Sequence, residues 1–178
     1  YIFKVGGISN SYLPFQFTFN PPLSVAPDSV VFAAVSSNIF SSNNGIPGAC
    51  LYIDSISLLG ITSQPAMLNG DFEYWQNNTL TYPNDWYMNN ANEDNYGYIS
   101  LTTDAAKGNY AIKLESYLEY DFDDVTWYTR PTQIATGYWD NGCGCWKGGY
   151  PFNNQVDTLT FWYKYMPTTN TYGYVYIM

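Results

Sequence analysis

The sequence predicts an all-β sandwich. Short runs of β-branched and aromatic residues are separated by Pro, Gly and Asn clusters, at intervals of roughly 8 to 15 residues. Two of these runs, residues 110–115 and 158–165, alternate strictly between two side-chain faces, which is the period of a β-strand. No run shows the period of an amphipathic helix. This combination favours two packed antiparallel sheets.

The first part of the chain contains three predicted strands. Residues 15–19 alternate and end before an Asn-Pro-Pro sequence, and a Pro-Asp pair introduces the apolar run 29–35. A polar loop rich in Ser, Asn and Gly covers residues 36–48, and the strand 51–58 follows it. Three residues of that strand are expected on one face: Leu51, Ile53 and Ser55. The best linker candidate is residues 60–65.

The second part begins with a predicted strand at residues 67–75 and an Asn-rich loop at 76–95. Residues 137–152 are rich in Gly and aromatic residues, and we expect an ordered loop there with a short edge strand. Both ends of the chain, residues 1–5 and 174–178, also have strand-like sequences. Natural domain boundaries usually lie in polar linkers, so two ends with strand-like sequences are unusual for a domain.

Composition narrows the classes of function. The 178 residues carry 15 acidic and 6 basic side chains, a net charge of -9, which disfavours nucleic-acid binding because that binding depends on cationic side chains. Hydrophobic residues make up 46% of the chain, which argues against disorder, yet no apolar stretch is long enough for membrane insertion. The 20% aromatic content with few charges is typical of an exposed β-protein.

The three cysteines are Cys50, Cys143 and Cys145, so at least one is free or paired outside this chain. Only Gly144 separates the last two, which places them very close for a mutual disulfide. We therefore expect Cys50 to pair with one of them if the compartment is oxidising. The chain has no histidine to complete a zinc site, so a structural role is favoured over a metal role.

Two segments carry a resemblance to a known family. Asn-Gly-Asp-Phe-Glu at residues 69–73 is followed by Trp75 and Trp86, and Lys-Gly-Asn-Tyr-Ala-Ile-Lys-Leu occupies residues 107–114. This series resembles the N-terminal half of a galactose-binding-like jelly roll of the carbohydrate-binding-module type. Such domains close with a strand similar to residues 51–58.

A further similarity concerns Gly-Tyr-Pro-Phe at residues 149–152, which leads into the strand at 159–167. This arrangement resembles secreted surface domains of Bacteroidetes bacteria, including a carbohydrate-metabolism type. The resemblance implies a jelly-roll sandwich in an extracellular or cell-surface protein. It covers nearly the whole chain, but with the second half placed before the first.

The inverted order defines the predicted domains. Residues 1–60 correspond to the C-terminal half of a sandwich, 61–66 to a junction, and 67–178 to the N-terminal half. Placing the strand at 172–178 against residues 1–5 completes one sandwich. This pairing forms either within a permuted chain or between neighbours in a tandem array, and the array is preferred because it accounts for both mid-strand termini.

The resemblance also implies one structural calcium ion. Its carboxylate ligands would be Asp54 and Glu73, with backbone oxygens supplied near Asp71, Lys107 and Asn109. Calcium requires hard oxygen ligands, usually six to eight of them. The alternative is that these acids cap strand ends in solvent.

Other candidate sites are less specific. An acidic group without a recognisable His, Ser or Cys partner is expected to be a solvated loop rather than a catalytic pair; its members are Glu115, Glu119, Asp121, Asp123 and Asp124.

Aromatic residues in or near loops are candidates for stacking on sugar rings, with core packing as the alternative; they are Trp127, Tyr128, Tyr138, Trp139 and Trp146. Asp-Ser/Thr-aliphatic motifs suggest O-glycosylation at Ser29 and Thr158, and an N-linked sequon begins at Asn77.

The sequence therefore predicts a non-enzymatic, extracellular structural or adhesive repeat of a surface adhesin or filament. Its partners would be neighbouring copies of the same domain. The alternative is a carbohydrate-binding module of a secreted polysaccharide-utilisation protein, with glycans as its ligands.

Overall fold

The computed structural model describes residues 1–20, 27–37, 46–60, 67–77, 81–88, 98–152, 156–169 and 171–178. The predicted junction at 61–66 lies outside these ranges, as do parts of the predicted loops at 36–48 and 76–95. Nowhere in the described ranges is there a helix with the length and apolarity needed to cross a membrane.

Ten of the described strands form two five-stranded antiparallel sheets. The first sheet has the spatial order β1 (Ile2–Gly6), β18 (Tyr172–Ile177), β4 (Phe32–Val35), β13 (Gln133–Ala135) and β8 (Tyr87–Met88). The second has the order β2 (Leu13–Thr18), β17 (Thr158–Met166), β5 (Cys50–Leu59), β10 (Ala111–Glu115) and β9 (Ile99–Thr102). The all-β prediction is confirmed, and the two sheets are consistent with a β-sandwich.

Short two-stranded ribbons supplement the sheets. They pair β3 (Ser29–Val30) with β16 (Tyr150–Pro151), β6 (Trp75–Asn77) with β7 (Thr81–Pro83), β11 (Tyr117–Asp121) with β12 (Thr126–Arg130), and β14 (Gly137–Asp140) with β15 (Cys145–Gly148). The apolar run at 29–35 is therefore divided between a ribbon and the first sheet. Residues 137–152 contain a complete hairpin rather than one short edge strand.

The core lies between the two sheets. Phe161 of β17 is buried, and its ring stacks on Phe15 at 4.5 Å and meets Phe32 of the first sheet edge-on at 6.1 Å. Burying rings of this size removes large apolar areas from water. The alternation expected in β17 is confirmed, because Leu159, Phe161 and Tyr165 are buried towards the core.

Strand β5 departs from simple alternation. Its register with β17 shifts between Thr160 and Trp162, and Ser55 has a φ of 52°. This bulge adds one residue, so that the buried positions continue as Ile53 and then Ile56. The expectation that Ser55 shares a face with Leu51 and Ile53 is therefore wrong.

The predicted first strand at residues 67–75 is also wrong for most of its length. Residues 68–71 form a turn, and a strand begins only at Trp75. Asn69 and Phe72 both have positive φ, which lies outside the region of regular β-strands. The turn nevertheless brings Phe72 into the core, where it is fully buried against Trp86.

Both parts of the chain contribute strands to both sheets. Strand β1 pairs with β18 from Ile2 opposite Tyr176 to Gly6 opposite Tyr172, and the terminal amine of Tyr1 donates to the Ile177 carbonyl at 2.8 Å. This is the pairing that closes one sandwich. Whether the protein is a permuted domain or one period of an array stays a prediction.

Candidate functional site

The β11–β12 hairpin carries an exposed aromatic face. Tyr120 lies opposite Trp127 across the ribbon, with ring centroids 5.1 Å apart, and Phe122 meets Tyr120 at 5.0 Å. Trp127 is 62% exposed and Phe122 is 84% exposed. We define the aromatic face as Leu118, Tyr120, Phe122, Val125 and Trp127. Contiguous exposed apolar side chains commonly mark an interaction surface.

Buried hydroxyl groups fix the base of this hairpin. The Ser36 and Ser37 hydroxyls each lie 2.7 Å from the Ser116 hydroxyl, directly before β11. After β12, the backbone N–H of Thr132 donates to Ser36 Oγ at 2.9 Å. All four residues are buried. Because buried hydroxyls need partners, this network ties the hairpin stem firmly to the end of β4.

The opposite face of the hairpin is polar. Arg130 forms an ion pair with Glu119, and its guanidinium lies 5.5 Å from the centre of the Tyr128 ring. The Tyr128 hydroxyl donates to Asp124 at 2.8 Å, and this hydrogen bond raises the pKa of Tyr128. Asp121 accepts the backbone N–H groups of the next turn.

These contacts account for most of the predicted acidic group. Glu115, its remaining member on a neighbouring strand, pairs with Lys113 at 2.6 Å. Each of these carboxylates except Asp123, for which no side-chain bond is described, has a structural partner. The arrangement is that of a stabilised hairpin turn.

A second aromatic group lies on the β14–β15 hairpin. Trp139 and Trp146 face each other across the ribbon at 5.8 Å, and Trp146 packs against the outer apolar cluster of the first sheet. Tyr138 lies 6.0 Å from Tyr87 on the other face, and both rings are exposed. Asp140 and Lys147 form an ion pair beside them.

The five aromatic residues expected at a glycan site thus fall into two groups. Trp127 and Tyr128 lie on opposite faces of one hairpin, and Tyr138, Trp139 and Trp146 lie on another. Within the described residues, no ring contact joins the two groups. Trp146 packs against the first sheet, which was the alternative to sugar stacking for these residues.

Two carboxylates hold the loop that precedes β10, and we call this arrangement the loop clamp. Asp54 Oδ2 accepts the backbone N–H groups of Ala106 and Lys107 at 2.7 and 2.8 Å. Glu73 Oε1 accepts those of Asn109 and Tyr110 at 2.8 and 2.9 Å. The clamp joins Asp54 from the first part of the chain to Glu73 from the second, which the resemblance implied should lie together.

The pKa values of the two clamp carboxylates are shifted in opposite directions. Burial raises the pKa of Asp54 above its ordinary value, and the hydrogen bonds from Lys107, Ser55 and Ala106 only partly offset it. Partial burial would also raise the pKa of Glu73, but its hydrogen bonds from Tyr110 and Asn109 together outweigh this and lower it.

The donor set of the clamp gives little support to calcium. Each carboxylate already accepts three hydrogen bonds, from N–H groups and, at Asp54, from the Ser55 hydroxyl. No group of three Asp, Glu or Cys side chains suited to a metal ion occurs in the described ranges, and no described bond links Asp71 to the clamp. N–H groups aimed at both carboxylates oppose a cation there. Calcium stays a prediction from the resemblance.

Gly108 is the tightest point of the clamp. It has a φ of +67°, and a Cβ at this position would lie 2.3 Å from Glu73 Oε1. We expect Gly108→Ala to lower the free energy of unfolding by about 2–3 kcal/mol, from left-handed backbone strain and loss of the Glu73 bonds. Urea denaturation measures this change.

Gly7→Ala is the matched control, because Gly7 also has a positive φ but no heavy atom near its Cβ position. Only the backbone strain of about 1 kcal/mol is expected there. Equal losses in the two variants would show that Glu73 contributes nothing to holding the loop.

The disulfide differs from the expected pairing. It joins Cys143 to Cys145, with Cα atoms 5.3 Å apart, and Cys50 is free. The turn between β14 and β15 brings the two cysteines within bridging distance, and Gly144 adopts a φ of +60° between them. Cys50 lies on β5 in the second sheet, opposite Glu115, where burial raises the pKa of its thiol.

The predicted glycosylation positions have different environments. Ser29 is exposed, whereas Thr158 is buried in β17 beside Thr18. Because glycosylation needs an exposed hydroxyl, Thr158 is unsuited to it and Ser29 stays a prediction. Asn77 ends β6, and the rest of its sequon lies outside the described residues.

The surroundings of Lys164 were not predicted from the sequence. Lys164 on β17 is almost fully buried, forms an ion pair with Asp104, and its Nζ lies 4.1 and 5.4 Å from the ring centres of Tyr52 and Tyr12. Two rings and a carboxylate compensate for removing the ammonium from water. The alternation of β17 placed Lys164 on the outer face, but nothing in the sequence identified its partners.

Comparisons with protein-family models, with curated proteins and with solved structures found no match to this chain. The functional argument therefore rests on the geometry of these surfaces.

Proposed function

We propose that this protein is a non-enzymatic, extracellular structural or adhesive domain of a surface adhesin or filament, and that it assembles with like domains. The observation that carries the proposal is the aromatic face of the β11–β12 hairpin. The Phe122 and Trp127 rings are exposed, both contact the half-buried Tyr120 ring, and buried hydroxyls hold the stem that carries them in place. A preformed apolar surface of this kind suits protein association, because little ordering is needed on binding.

The charge distribution supports a contact centred on this apolar face. The chain has a net charge of -9, so two copies repel each other at long range. The aromatic face contains no charged side chain, and the ion pair of Arg130 with Glu119 lies on the opposite side of the hairpin. Contact through rings therefore avoids placing like charges opposite each other.

The absence of catalysis is likewise proposed from the environment of the acids. The fully buried carboxylate, Asp54, is engaged by backbone N–H groups rather than directed into a cleft. The hairpin acids stabilise turns and ion pairs. These are structural roles, in contrast to those of an acid–base pair that flanks a substrate.

We further propose the jelly-roll connectivity that the resemblance implies, with halves permuted or shared between repeats. Its support is the mixed origin of each sheet, in which both strands from residues 1–60 pair with strands from residues 67–178. In a tandem array, the pairing between β1 and β18 forms between neighbouring repeats.

Self-association tests the leading proposal. We expect Trp127→Ala to weaken it at least about tenfold, because large exposed aromatic residues dominate the energy of many interfaces. Sedimentation velocity over a range of protein concentrations measures the dissociation constant. The matched control is Tyr74→Ala, since Tyr74 is 67% exposed but lies away from the hairpin.

The proposal fails if the wild-type protein stays monomeric at about 100 μM, a concentration at which even weak contacts of about 5 kcal/mol are detectable. It also fails if Tyr74→Ala weakens association as much as Trp127→Ala does. Circular dichroism of both variants verifies that the fold is retained.

The alternative function is glycan binding, and a different surface favours it. Tyr87 and Tyr138 present exposed rings on the face of the β14–β15 hairpin that also carries the Asp140–Lys147 ion pair. Rings for stacking next to polar groups for hydroxyls are the usual means of sugar recognition. An oligosaccharide that binds the wild type but not Tyr138→Ala, with self-association unchanged, would support this alternative over the first.

A further inference from the structure

The Cys143–Cys145 disulfide lies at the turn of the β14–β15 hairpin. Cys143 is exposed and Cys145 is half-buried, and no heavy atom outside residues 143–145 lies within 4 Å of the Cβ position of Gly144. The carbonyl oxygens of Asp140 and Cys145 lie 3.7 and 3.9 Å from Cys143 Sγ, and the exposure of Cys143 leaves its sulfur accessible to a nucleophile from the solvent side. Exposed disulfides are the labile ones in proteins, whereas buried ones resist exchange.

The bridge also contributes little to the fold. It encloses a loop with a sequence separation of 2, and the stabilisation from a crosslink grows with the length of the loop that it closes. The hairpin has other supports: four cross-strand pairs, the facing rings of Trp139 and Trp146, and the ion pair of Asp140 with Lys147. Opening the disulfide thus leaves the ribbon in place.

We propose that Cys143 and Cys145 form a thiol–disulfide exchange site for small thiols of the glutathione class, which opens without unfolding of the protein. The thiolate of the small molecule attacks Cys143 Sγ and forms a mixed disulfide. The bond between the two cysteine sulfurs breaks, and its electron pair remains on Cys145 Sγ, which takes a proton from water.

A second small thiol then completes the reaction. Its thiolate attacks the small-molecule sulfur of the mixed disulfide and releases Cys143 as a thiolate. Two thiols are oxidised to one small disulfide, and the protein disulfide is reduced by the same two electrons. In the intermediate, the protein carries a covalent adduct at the tip of the hairpin, beside the Trp139–Trp146 pair.

The first experiment compares native and unfolded protein. Wild type is incubated with reduced glutathione in native buffer or in guanidinium, quenched with acid, alkylated, and analysed by peptide mass spectrometry. Because no unfolding is required, we expect the native rate of disulfide loss to lie within about tenfold of the unfolded rate. A larger protection factor overturns the proposal. Unchanged far-UV circular dichroism during native reduction is also required, and loss of the β-sheet signal overturns it too.

The second experiment compares the accessibility of the two sulfurs, on which the assignment of the attack to Cys143 rests. Cys145→Ser leaves Cys143 as a free thiol, and Cys143→Ser is the matched variant that leaves Cys145. Their thiolates attack oxidised glutathione, and we expect the mixed disulfide to form at least about threefold faster in Cys145→Ser, because Cys143 is more accessible. Equal or slower reaction overturns the assignment to Cys143. The free thiol of Cys50 is an internal reference, and half-burial should make it slower than Cys143.

Discussion

Phe161→Ala is expected to lower the free energy of unfolding by about 4 kcal/mol, the largest loss from any single truncation considered for this protein. The buried ring fills the space between the sheets, where it contacts Phe15 within its own sheet and Phe32 across the core. Its removal therefore creates a cavity bounded by both sheets, which can collapse only if strands move. Equilibrium urea denaturation, followed by tryptophan fluorescence and by circular dichroism, measures the loss.

Phe122→Ala is the matched control, because it deletes the same side chain from a position that is 84% exposed. We expect a loss of no more than about 1 kcal/mol, since the exposed ring buries little area and its described ring contact is with Tyr120. A loss below about 1 kcal/mol for Phe161→Ala would contradict the packing of the two sheets around this ring.

Asp54→Ala is expected to cost about 3 kcal/mol, whereas Asp54→Asn should change stability by no more than about 1 kcal/mol at pH 7. Alanine leaves the N–H groups of Ala106 and Lys107 without an acceptor. Asparagine retains a carbonyl oxygen that accepts both. It also removes the cost of keeping an ionised carboxylate away from water. Thermal and urea unfolding of the two variants measure the difference.

The pH dependence of the same pair provides a separate check. The pKa of Asp54 is raised in the folded state above its ordinary value of 3.8. The protonation of Asp54 therefore stabilises the folded protein fully at pH values below 3.8, and this stabilisation is lost as the pH rises through the folded-state pKa. Asp54→Asn does not titrate here, so its stability relative to wild type should rise between about pH 4 and 7. The lowered pKa of Glu73 changes stability with pH in the opposite direction. Because Glu73 is present in both proteins, its effect cancels when the two are compared.

A bound cation would produce a different pattern. If Asp54 were a calcium ligand, its ionised form would be favoured, so Asp54→Asn would be as damaging as Asp54→Ala. Wild type would then also lose stability in the presence of a chelator. Either result would contradict the loop clamp as a purely hydrogen-bonded device.

The sequence predicted the fold class and the strands with strong periodicity. Residues 158–165 and 110–115 form strands β17 and β10 because their alternation separates an apolar face, which packs in the core, from a more polar face. Such runs carry their structural information locally. The family resemblance also implied that Asp54 and Glu73 lie close to residues 107–109, and the structure joins the two carboxylates through one loop.

The errors arise where distant contacts decide the local conformation. Ser55 and Phe72 have positive φ angles that no propensity would assign to them; Ile56, which follows Ser55, and Phe72 itself are anchored in the core. Similarly, Cys143 appeared too close to Cys145 to pair with it until the turn between β14 and β15 was known. These are features of tertiary structure, which single-sequence patterns do not contain.

The candidate surfaces were only partly visible in the sequence. Trp127 and Trp146 are both aromatic residues near loops, yet Trp127 is exposed while Trp146 covers the outer face of a sheet. Composition cannot separate these roles, because an aromatic ring suits core packing and binding equally well. Only the pairing of β11 with β12 shows which rings share a face.

The pairing of β1 with β18 has a mechanical consequence. The ends of the two strands lie side by side, so a force that pulls Tyr1 away from Met178 loads the backbone hydrogen bonds one after another, beginning at Tyr1 and Ile177. Met178 is additionally held by Val31 through two backbone bonds, whereas β1 is an edge strand with β18 as its one described neighbour. Under tension, β1 should peel away first and at low force, while the rest of the sandwich remains intact.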